Sequence, residues 1–235
     1  MMSIADATSK AVLKRLVALV EASTISAVEA WGCFTAPKPL HTFKRHTLTL
    51  TGDEVANLES LRDKVQQILK KRINKRCAYC KRAMGQHGMS WHIEHIYGKT
   101  RFHRLMFTLS NLTYACIDCN LVKNNSVDQS NPYLFDIINP NLPNFRYGRH
   151  LNFLQLSTEE LHILKYQHHS PEGESTYRKL KLQSLEHLEV VSSLNESVRH
   201  LSERIDSRLS DLIGAGEHRE VAEFLHKLKL KITEE

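Results

Sequence analysis

The chain has 235 residues, of which 41% are hydrophobic and 25% charged, an ordinary balance for a folded globular protein that excludes a wholly disordered chain. The apolar stretch from Ala11 to Ala22 is interrupted by Lys14, Arg15 and Glu21, and it is too short to cross a membrane. We therefore expect a cytoplasmic protein without a signal peptide or membrane span, and in that reducing compartment we expect no disulfides.

The formal net charge is +6, and the basic residues are concentrated in one segment. Residues 70–104 contain ten Lys or Arg and a single acidic residue, Glu94. A basic surface attracts polyanions such as nucleic acid through phosphate contacts and counterion release. A solvated helix end beside a loop would give the same charge, so charge alone does not decide between these interpretations.

The first third of the chain predicts helices around one short strand. Residues 4–30 are rich in alanine and weakly amphipathic, which predicts a helix that ends at Gly32 and the prolines after it. Residues 41–50 predict a short strand. The sequence from Thr51 to Glu54 has the form of a capping box, and it predicts a helix that closes with the basic residues 70–72.

The last part of the chain predicts loops, strands and then long helices. Residues 126–148 are rich in turn formers, and residues 149–167 predict two short strands, the second of which could also be a helix. From Ser175 to Ile213 apolar residues recur every three or four positions, which predicts one long helix, and a last helix follows Gly216. Such a stripe usually packs against the chain's own core, and a homo-oligomer through these helices is the sharper alternative.

Four of the five cysteines form two Cys-x-x-Cys pairs, Cys77 with Cys80 and Cys116 with Cys119. Four thiolates suit tetrahedral zinc, and two such pairs in a reducing compartment indicate zinc far more strongly than one pair, which could be a redox motif. A site with four cysteine ligands is closed, so this zinc is expected to be structural. Cys33 is left over and is expected to be a small buried hydrophobic residue.

Polar residues suited to phosphodiester chemistry lie between and just after the two pairs: Glu94, His95, Asn111, Asn120 and Lys123. Short strands at 91–96 and 112–116, with a helix from about residue 118, would form a hairpin followed by a helix. Zinc would then join the base of the hairpin to the start of the helix.

This order of residues resembles the HNH endonucleases that carry a four-cysteine zinc site and the ββα-metal fold, over about residues 77–124. The resemblance implies that His95 is the general base and that Asn111 orients the hairpin loop and His95. It also implies that Glu94 and Asn120 hold a catalytic Mg²⁺ or Mn²⁺. The chain departs from the family in having Glu rather than Asp before the histidine, and in lacking the proline that often follows it.

The chemistry agrees with these roles. Cleavage of a phosphodiester needs a base with a pKa near neutrality, which histidine supplies, and a cation that stabilises the developing charge. Lys99, Arg101, Arg104 and Lys123 are candidates for phosphate contacts, and surface solvation is the alternative for each. His92 is either a further metal ligand or phosphate contact, or a packed or solvent-facing strand histidine, and His103 is similarly ambiguous.

We therefore expect an α+β, mostly helical chain with a small ββα-metal zinc-knuckle core. The expected regions are an N-terminal helical region at 1–74, the HNH core at 75–130, loops and short strands at 131–170, and a C-terminal helical region at 171–235. The expected function is metal-dependent hydrolysis of nucleic acid, DNA more than RNA. The alternative is a non-catalytic, zinc-stabilised nucleic-acid-binding module or adaptor.

A weaker resemblance extends beyond the core. Residues 99–102, Asn139-Pro140 and the segment from Thr176 to Leu182 look similar to the HNH subunit of Septu-type and retron-associated antiphage systems. That resemblance implies a role in antiviral defence beside an SMC-like ATPase subunit, with the C-terminal helices available for the partner.

Overall fold

The computed structural model describes residues 2–83, 85, 91–126, 135–157, 161–190 and 204–205. Its helices are α1 (Ala7–Glu21), α2 (Ala27–Thr35), α3 (Gly52–Arg72), α4 (Ile117–Ser126) and α5 (Pro171–Lys179). Its strands are β1 (Leu40–Thr42), β2 (Thr47–Thr49), β3 (Trp91–His95), β4 (Leu112–Cys116), β5 (Leu151–Ser157), β6 (Leu161–His168) and β7 (His187–Val190). The protein is thus a mixed α+β chain with short antiparallel strand pairs, as predicted. Within these described ranges no helix is long and apolar enough to span a membrane.

The prediction of one helix over residues 4–30 is wrong, because a turn separates α1 from α2. Ser23 in this turn has a φ of 55°, in the left-handed region. Ser26 then caps α2 in a capping box with Glu29, whose carboxylate accepts a hydrogen bond of 2.7 Å from the Ser26 amide. These local hydrogen bonds favour a helix start over a continuous helix. The second helix also continues past Gly32 to Thr35.

The predicted capping box before α3 is confirmed. The Thr51 hydroxyl accepts a hydrogen bond of 3.2 Å from the Glu54 amide, and the Glu54 carboxylate accepts one of 2.9 Å from the Thr51 amide. The single strand predicted over 41–50 is a hairpin, in which β1 pairs antiparallel with β2. A turn between the two short strands, which the alternation of residue types did not reveal, accounts for the difference.

Helices α1, α2 and α3 pack together around an apolar core. Its fully buried members include Leu13, Leu16, Phe34, Leu58 and Val65. Helix α3 also packs on strand β4, so this helical layer supports one side of the central hairpin. Removal of a side chain as large as Phe34 from such a core typically costs about 3–5 kcal/mol.

The predicted hairpin and the helix after it are confirmed. Strands β3 and β4 are antiparallel, with Trp91 opposite Cys116 and His95 opposite Leu112. Helix α4 begins at Ile117, the residue after β4 ends. Because side chains alternate along a strand, His92 and Glu94 share one face of β3, while Trp91, Ile93 and His95 share the other.

The long helix predicted from Ser175 is wrong in its first part. Helix α5 ends at Lys179, and residues 187–190 form β7, which pairs antiparallel with residues 161–164 of β6. The two strands predicted over 149–167 are confirmed as β5 and β6, in a sheet of order β5-β6-β7. The rest of the predicted long helix, apart from residues 204–205, and the predicted last helix lie outside the described residues.

The chain divides into two compact units. The first comprises residues 1–153 and 166–185, and the second comprises residues 154–165 and 186–235. The hairpin, the four paired cysteines, the N-terminal helices and α5 all belong to the first unit. The contacts around the cysteine cluster and around His95 lie within this unit.

A substitution of Gly173, in the first turn of α5, tests whether this helix packs closely against the backbone of His150. A Cβ at this position would lie 2.0 Å from the carbonyl oxygen of His150, a backbone atom that cannot turn away. We expect Gly173→Ala to lower the free energy of unfolding by about 2 kcal/mol or more through overpacking.

Gly32 supplies the matched control, because it is also a helical glycine and a Cβ there would meet nothing within 4 Å. Gly32→Ala should stabilise the protein by up to about 1 kcal/mol through helix propensity. Urea denaturation of both variants measures the difference. Equal effects of the two substitutions would show that the docking of α5 is not as described.

Candidate functional site

The four paired cysteines converge on one buried point, as the sequence predicts. The Sγ atoms of Cys77, Cys80, Cys116 and Cys119 all lie within 4.8 Å of one another. Cys116 ends β4 and Cys119 lies in the first turn of α4, where the positive end of the helix dipole favours thiolates. Four thiol groups in this arrangement can hold a metal ion and are compatible with structural zinc.

A tight turn presents the first pair of thiols. The Cys77 amide donates to the Arg82 carbonyl oxygen at 3.0 Å, and the Lys81 amide donates to the Cys77 carbonyl oxygen at 3.1 Å. Lys81 reaches the left-handed region with a φ of 58°, which lets the chain reverse directly after Cys80. The Cys116 amide donates to the Cys77 Sγ at 3.4 Å, so the two pairs are linked even apart from a metal.

Arg82 balances the charge of the thiolates. Its Nε lies 3.5 Å from the Cys80 Sγ, its Nη2 lies 3.5 Å from the Cys116 Sγ, and it forms an ion pair with Asp118. A divalent ion with four thiolates has a net negative charge, which a guanidinium at this distance offsets. In the sequence, Arg82 stands out only as part of the basic segment from residue 70 to 104. Its position two residues after Cys80 was the available signal.

Two tyrosines brace the turn from distant parts of the chain. The Tyr147 hydroxyl donates to the Tyr79 carbonyl oxygen at 2.8 Å, and the Tyr166 hydroxyl donates to the Cys80 carbonyl oxygen at 2.7 Å. Each bond satisfies a carbonyl in a buried turn that has no ladder partner. No local pattern in the sequence marks either tyrosine for this role.

His95, the expected general base, ends β3 and is only 4% exposed. Its Nε2 lies 3.2 Å from the carbonyl oxygen of Met106, so Nε2 carries the proton and Nδ1 is left as the basic nitrogen. Burial, with a further contribution from the positive charge of Lys99, lowers the pKa of His95 to about 3. The imidazole is therefore neutral at neutral pH.

An aromatic cluster on α2 covers the His95 ring. The indole of Trp31 meets the imidazole edge-on with 4.3 Å between ring centroids. The ring of Trp31 also packs against Phe34 of the same helix and Phe107 of the β3–β4 loop, with ring centroids 5.0 Å and 5.8 Å apart. The N-terminal helices are thus part of the surroundings of His95, which the sequence did not indicate.

Asn111 holds the loop between β3 and β4. Its Oδ1 accepts a hydrogen bond of 2.8 Å from the Tyr97 amide, and its Nδ2 donates to the carbonyl oxygens of Tyr97 at 3.0 Å and Leu105 at 3.3 Å. These bonds join both ends of the loop to its middle. The expectation that Asn111 also orients His95 stays a prediction, since the imidazole hydrogen bond described here goes to Met106.

Glu94 and Lys123 form a buried ion pair. The Lys123 Nζ lies 2.7 Å from Glu94 Oε1 and donates to the His95 carbonyl oxygen at 2.9 Å. Lys123 is 0% exposed and Glu94 is 4% exposed. Burial raises the pKa of the Glu94 carboxyl, and the Lys123 ammonium opposes that rise. Lys123, a candidate for a phosphate contact, therefore does not offer its ammonium to solvent.

The side chain of Asn120, the second expected metal ligand, contacts His92 and Asn124. Its Nδ2 lies 3.2 Å from the His92 Nδ1, and its Oδ1 accepts a hydrogen bond of 3.2 Å from the Asn124 side chain. His92 is exposed and Asn120 is half-buried. Both side chains are therefore more exposed than that of Glu94, whose carboxylate accepts a hydrogen bond from the Lys123 ammonium.

The three remaining candidates for phosphate contacts occupy different environments. Arg101 is exposed and Lys99 is half-buried beside a cavity. Arg104 is exposed, yet its Nε donates to the Glu21 carboxylate of α1 at 2.6 Å. His103 lies next to the same carboxylate, at 3.9 Å. Arg101 is thus open to a polyanion, Lys99 is half-buried, and Arg104 shares its charge with α1.

No protein-family model matches this chain, and the comparisons with curated proteins and with solved structures find none that is similar to it.

Loss of one thiol from the cluster should release the metal. We expect purified Cys119→Ala to contain much less than one zinc per chain and to be strongly destabilised, because zinc-binding energy is folding energy in such a site. Cys33→Ala is the matched control, since Cys33 is also buried but lies outside the cluster. Elemental analysis measures the metal. A well-folded parent protein without zinc would contradict the assignment.

The buried pair of Glu94 and Lys123 should show strong coupling. We expect Lys123→Met to cost about 3–5 kcal/mol of unfolding free energy, because it leaves a buried carboxylate without its partner. The double variant with Glu94→Gln should lose less than the sum of the two single variants. Arg178→Met, which breaks the exposed pair with Glu174, should cost less than about 1 kcal/mol. A Lys123→Met variant as stable as Arg178→Met would contradict the buried pair.

Proposed function

We propose that the protein is a metal-dependent nuclease of the HNH type, which hydrolyses phosphodiester bonds with His95 as the general base. The observation that supports this most is the fixed imidazole of His95, whose Nε2 is held by the Met106 carbonyl oxygen at 3.2 Å. This bond leaves Nδ1 to accept a proton from an attacking water. Burial lowers the pKa of His95 to about 3, so Nδ1 is unprotonated at neutral pH but is a weaker base than an imidazole with a pKa near neutrality, which suits general-base catalysis best.

The proposed reaction also uses a divalent cation, Mg²⁺ or Mn²⁺. When bound, it supplies positive charge to the scissile phosphate and the leaving oxygen. Asn120 fits the role of ligand, because its amide is half-buried next to His92, on the face of the hairpin that also carries Glu94. Glu94 fits only if its carboxylate exchanges the Lys123 ammonium for the cation. His92 would then be a further nitrogen donor beside Asn120.

The positive charge around the hairpin supports nucleic acid as the substrate. Arg101 is exposed, and the basic segment from residue 70 to 104 contains ten Lys or Arg. Phosphate contacts of this kind position a strand without selecting its sequence. The preference for DNA over RNA, the defence role and the SMC-like ATPase partner rest on the sequence resemblance alone.

A second candidate function is supported by two observations. His95 is 4% exposed with Trp31 against its ring, and the Glu94 carboxylate is bonded to Lys123. Both arrangements keep the expected reacting groups away from a substrate. They favour a zinc-stabilised module that binds nucleic acid without cutting it.

One substitution separates the two functions. We expect His95→Gln, whose amide can still donate to Met106, to reduce cleavage at least about 100-fold, the low end of what a general base contributes. His46→Gln, in the turn between β1 and β2, is the control and should cut like the parent. The assay is nicking of plasmid DNA and cleavage of RNA by zinc-loaded protein with Mg²⁺ or Mn²⁺.

Thermal melting and zinc content of each variant show whether it is folded. Parent-like cleavage by folded His95→Gln would exclude His95 as the base. A zinc-loaded parent that binds both nucleic acids and cuts neither would favour the binding module.

A further inference from the structure

A cavity of about 320 Å³ lies between α2, α3 and the β3–β4 hairpin. Three of its walls are aromatic: Trp31 of α2, Trp91 of β3 and Tyr114 of β4. The rings of Trp91 and Tyr114 are nearly parallel, with an interplanar angle of 8° and centroids 6.4 Å apart. Trp31 and Trp91 are the two tryptophans of the chain, so both of its indoles border the same cavity.

The polar side chains around the cavity are cationic or neutral. Arg62 of α3 and Lys99 of the β3–β4 loop supply positive charge, and Gln66 of α3 supplies an amide. Among the described residues that line the cavity none is acidic. Arg62 does contact the Asp63 carboxylate, at 3.1 Å, but Asp63 is 60% exposed and does not line the cavity. The cavity is therefore bordered by three aromatic side chains, of which Trp91 and Tyr114 are buried and Trp31 is half-buried, and by two cationic side chains.

We propose that this cavity binds one unstacked nucleobase of a single-stranded nucleic acid. Every base has a π-face that stacks on aromatic side chains, and single-strand-binding proteins combine such stacking with cationic contacts to the backbone. The Gln66 amide offers a donor and an acceptor to the edge of a base. A volume of about 320 Å³ is at the small end of ligand pockets, which suits one nucleotide and excludes a duplex.

This proposal deepens the proposed function, on which it rests, by naming the form of the substrate. His92 and Asn120 also line the cavity. A base held there would bring its own phosphate next to these two residues, where the catalytic cation is proposed. The substrate would then be a single strand, or a duplex with an unpaired nucleotide, rather than continuous double helix. A free nucleotide offers the same base and phosphate, and the titration below distinguishes it from a single strand.

Tryptophan fluorescence reports directly on the cavity, because both indoles border it. Zinc-loaded full-length protein is titrated with oligothymidylate in the absence of Mg²⁺ and Mn²⁺. We expect saturable quenching by the single strand and, at the same concentrations, little change with an abasic oligonucleotide of equal length, with the thymidylate–adenylate duplex or with thymidine monophosphate. Equal quenching by the abasic strand, by the duplex or by the mononucleotide would overturn the proposal, and so would no quenching by the single strand.

Adjacent glutamines on α3 provide a matched pair of variants. Gln66 borders the cavity, and Gln67 is exposed and does not. We expect Gln66→Ala to raise the dissociation constant of oligothymidylate about fivefold, as loss of one hydrogen bond does, and Gln67→Ala to leave it unchanged. Equal affinities of the two variants would overturn the proposal. This titration measures binding alone, and the nicking assay measures cleavage separately. Cleavage without this binding would refute only the proposed base site in the cavity. Binding without cleavage would refute only the proposed nuclease activity.

Discussion

The convergence of four thiols is the constraint on which the rest of the site depends. It joins the turn at residues 77–80 to the point where β4 ends and α4 begins, and so fixes the helix against the hairpin. Once Cys116 and Cys119 are held, the register of β4 with β3 places His95 opposite Leu112. A metal held by these thiols would contribute to folding, and it would then link the positions of Glu94 and His95 to metal binding.

Charge compensation is the second constraint. Lys123 of α4 donates both to the Glu94 carboxylate and to the His95 carbonyl oxygen, so one ammonium ties the helix to two consecutive residues of β3. A buried ion pair of this kind often contributes little net stability, yet it is costly to break. An arrangement that separated helix from hairpin would leave both buried charges without a partner. Arg82 has a comparable role at the thiolates.

The sequence predicted the parts of the structure that depend on local patterns. Cysteine spacing predicted the cluster, and the capping box at Thr51 predicted the start of α3. Contacts between distant segments left no local signal, as for Trp31 on His95 or Tyr166 on the Cys80 carbonyl oxygen. The strand at 187–190 was predicted as helix because its apolar residues also fit a helical spacing, and pairing with β6 decided the outcome.

Trp31 links the two proposals while leaving them physically separable. Its indole borders the cavity and packs against His95, so one side chain of α2 belongs to both environments. The cavity has a volume of about 320 Å³ in the structure as it stands. The proposed cleavage demands more, because the imidazole of His95 is only 4% exposed. To take a proton from a water next to a phosphodiester, it would need the indole or the β3–β4 loop to move aside. Binding of a base would therefore need less change in the structure than the proposed hydrolysis, which would require a rearrangement around Trp31.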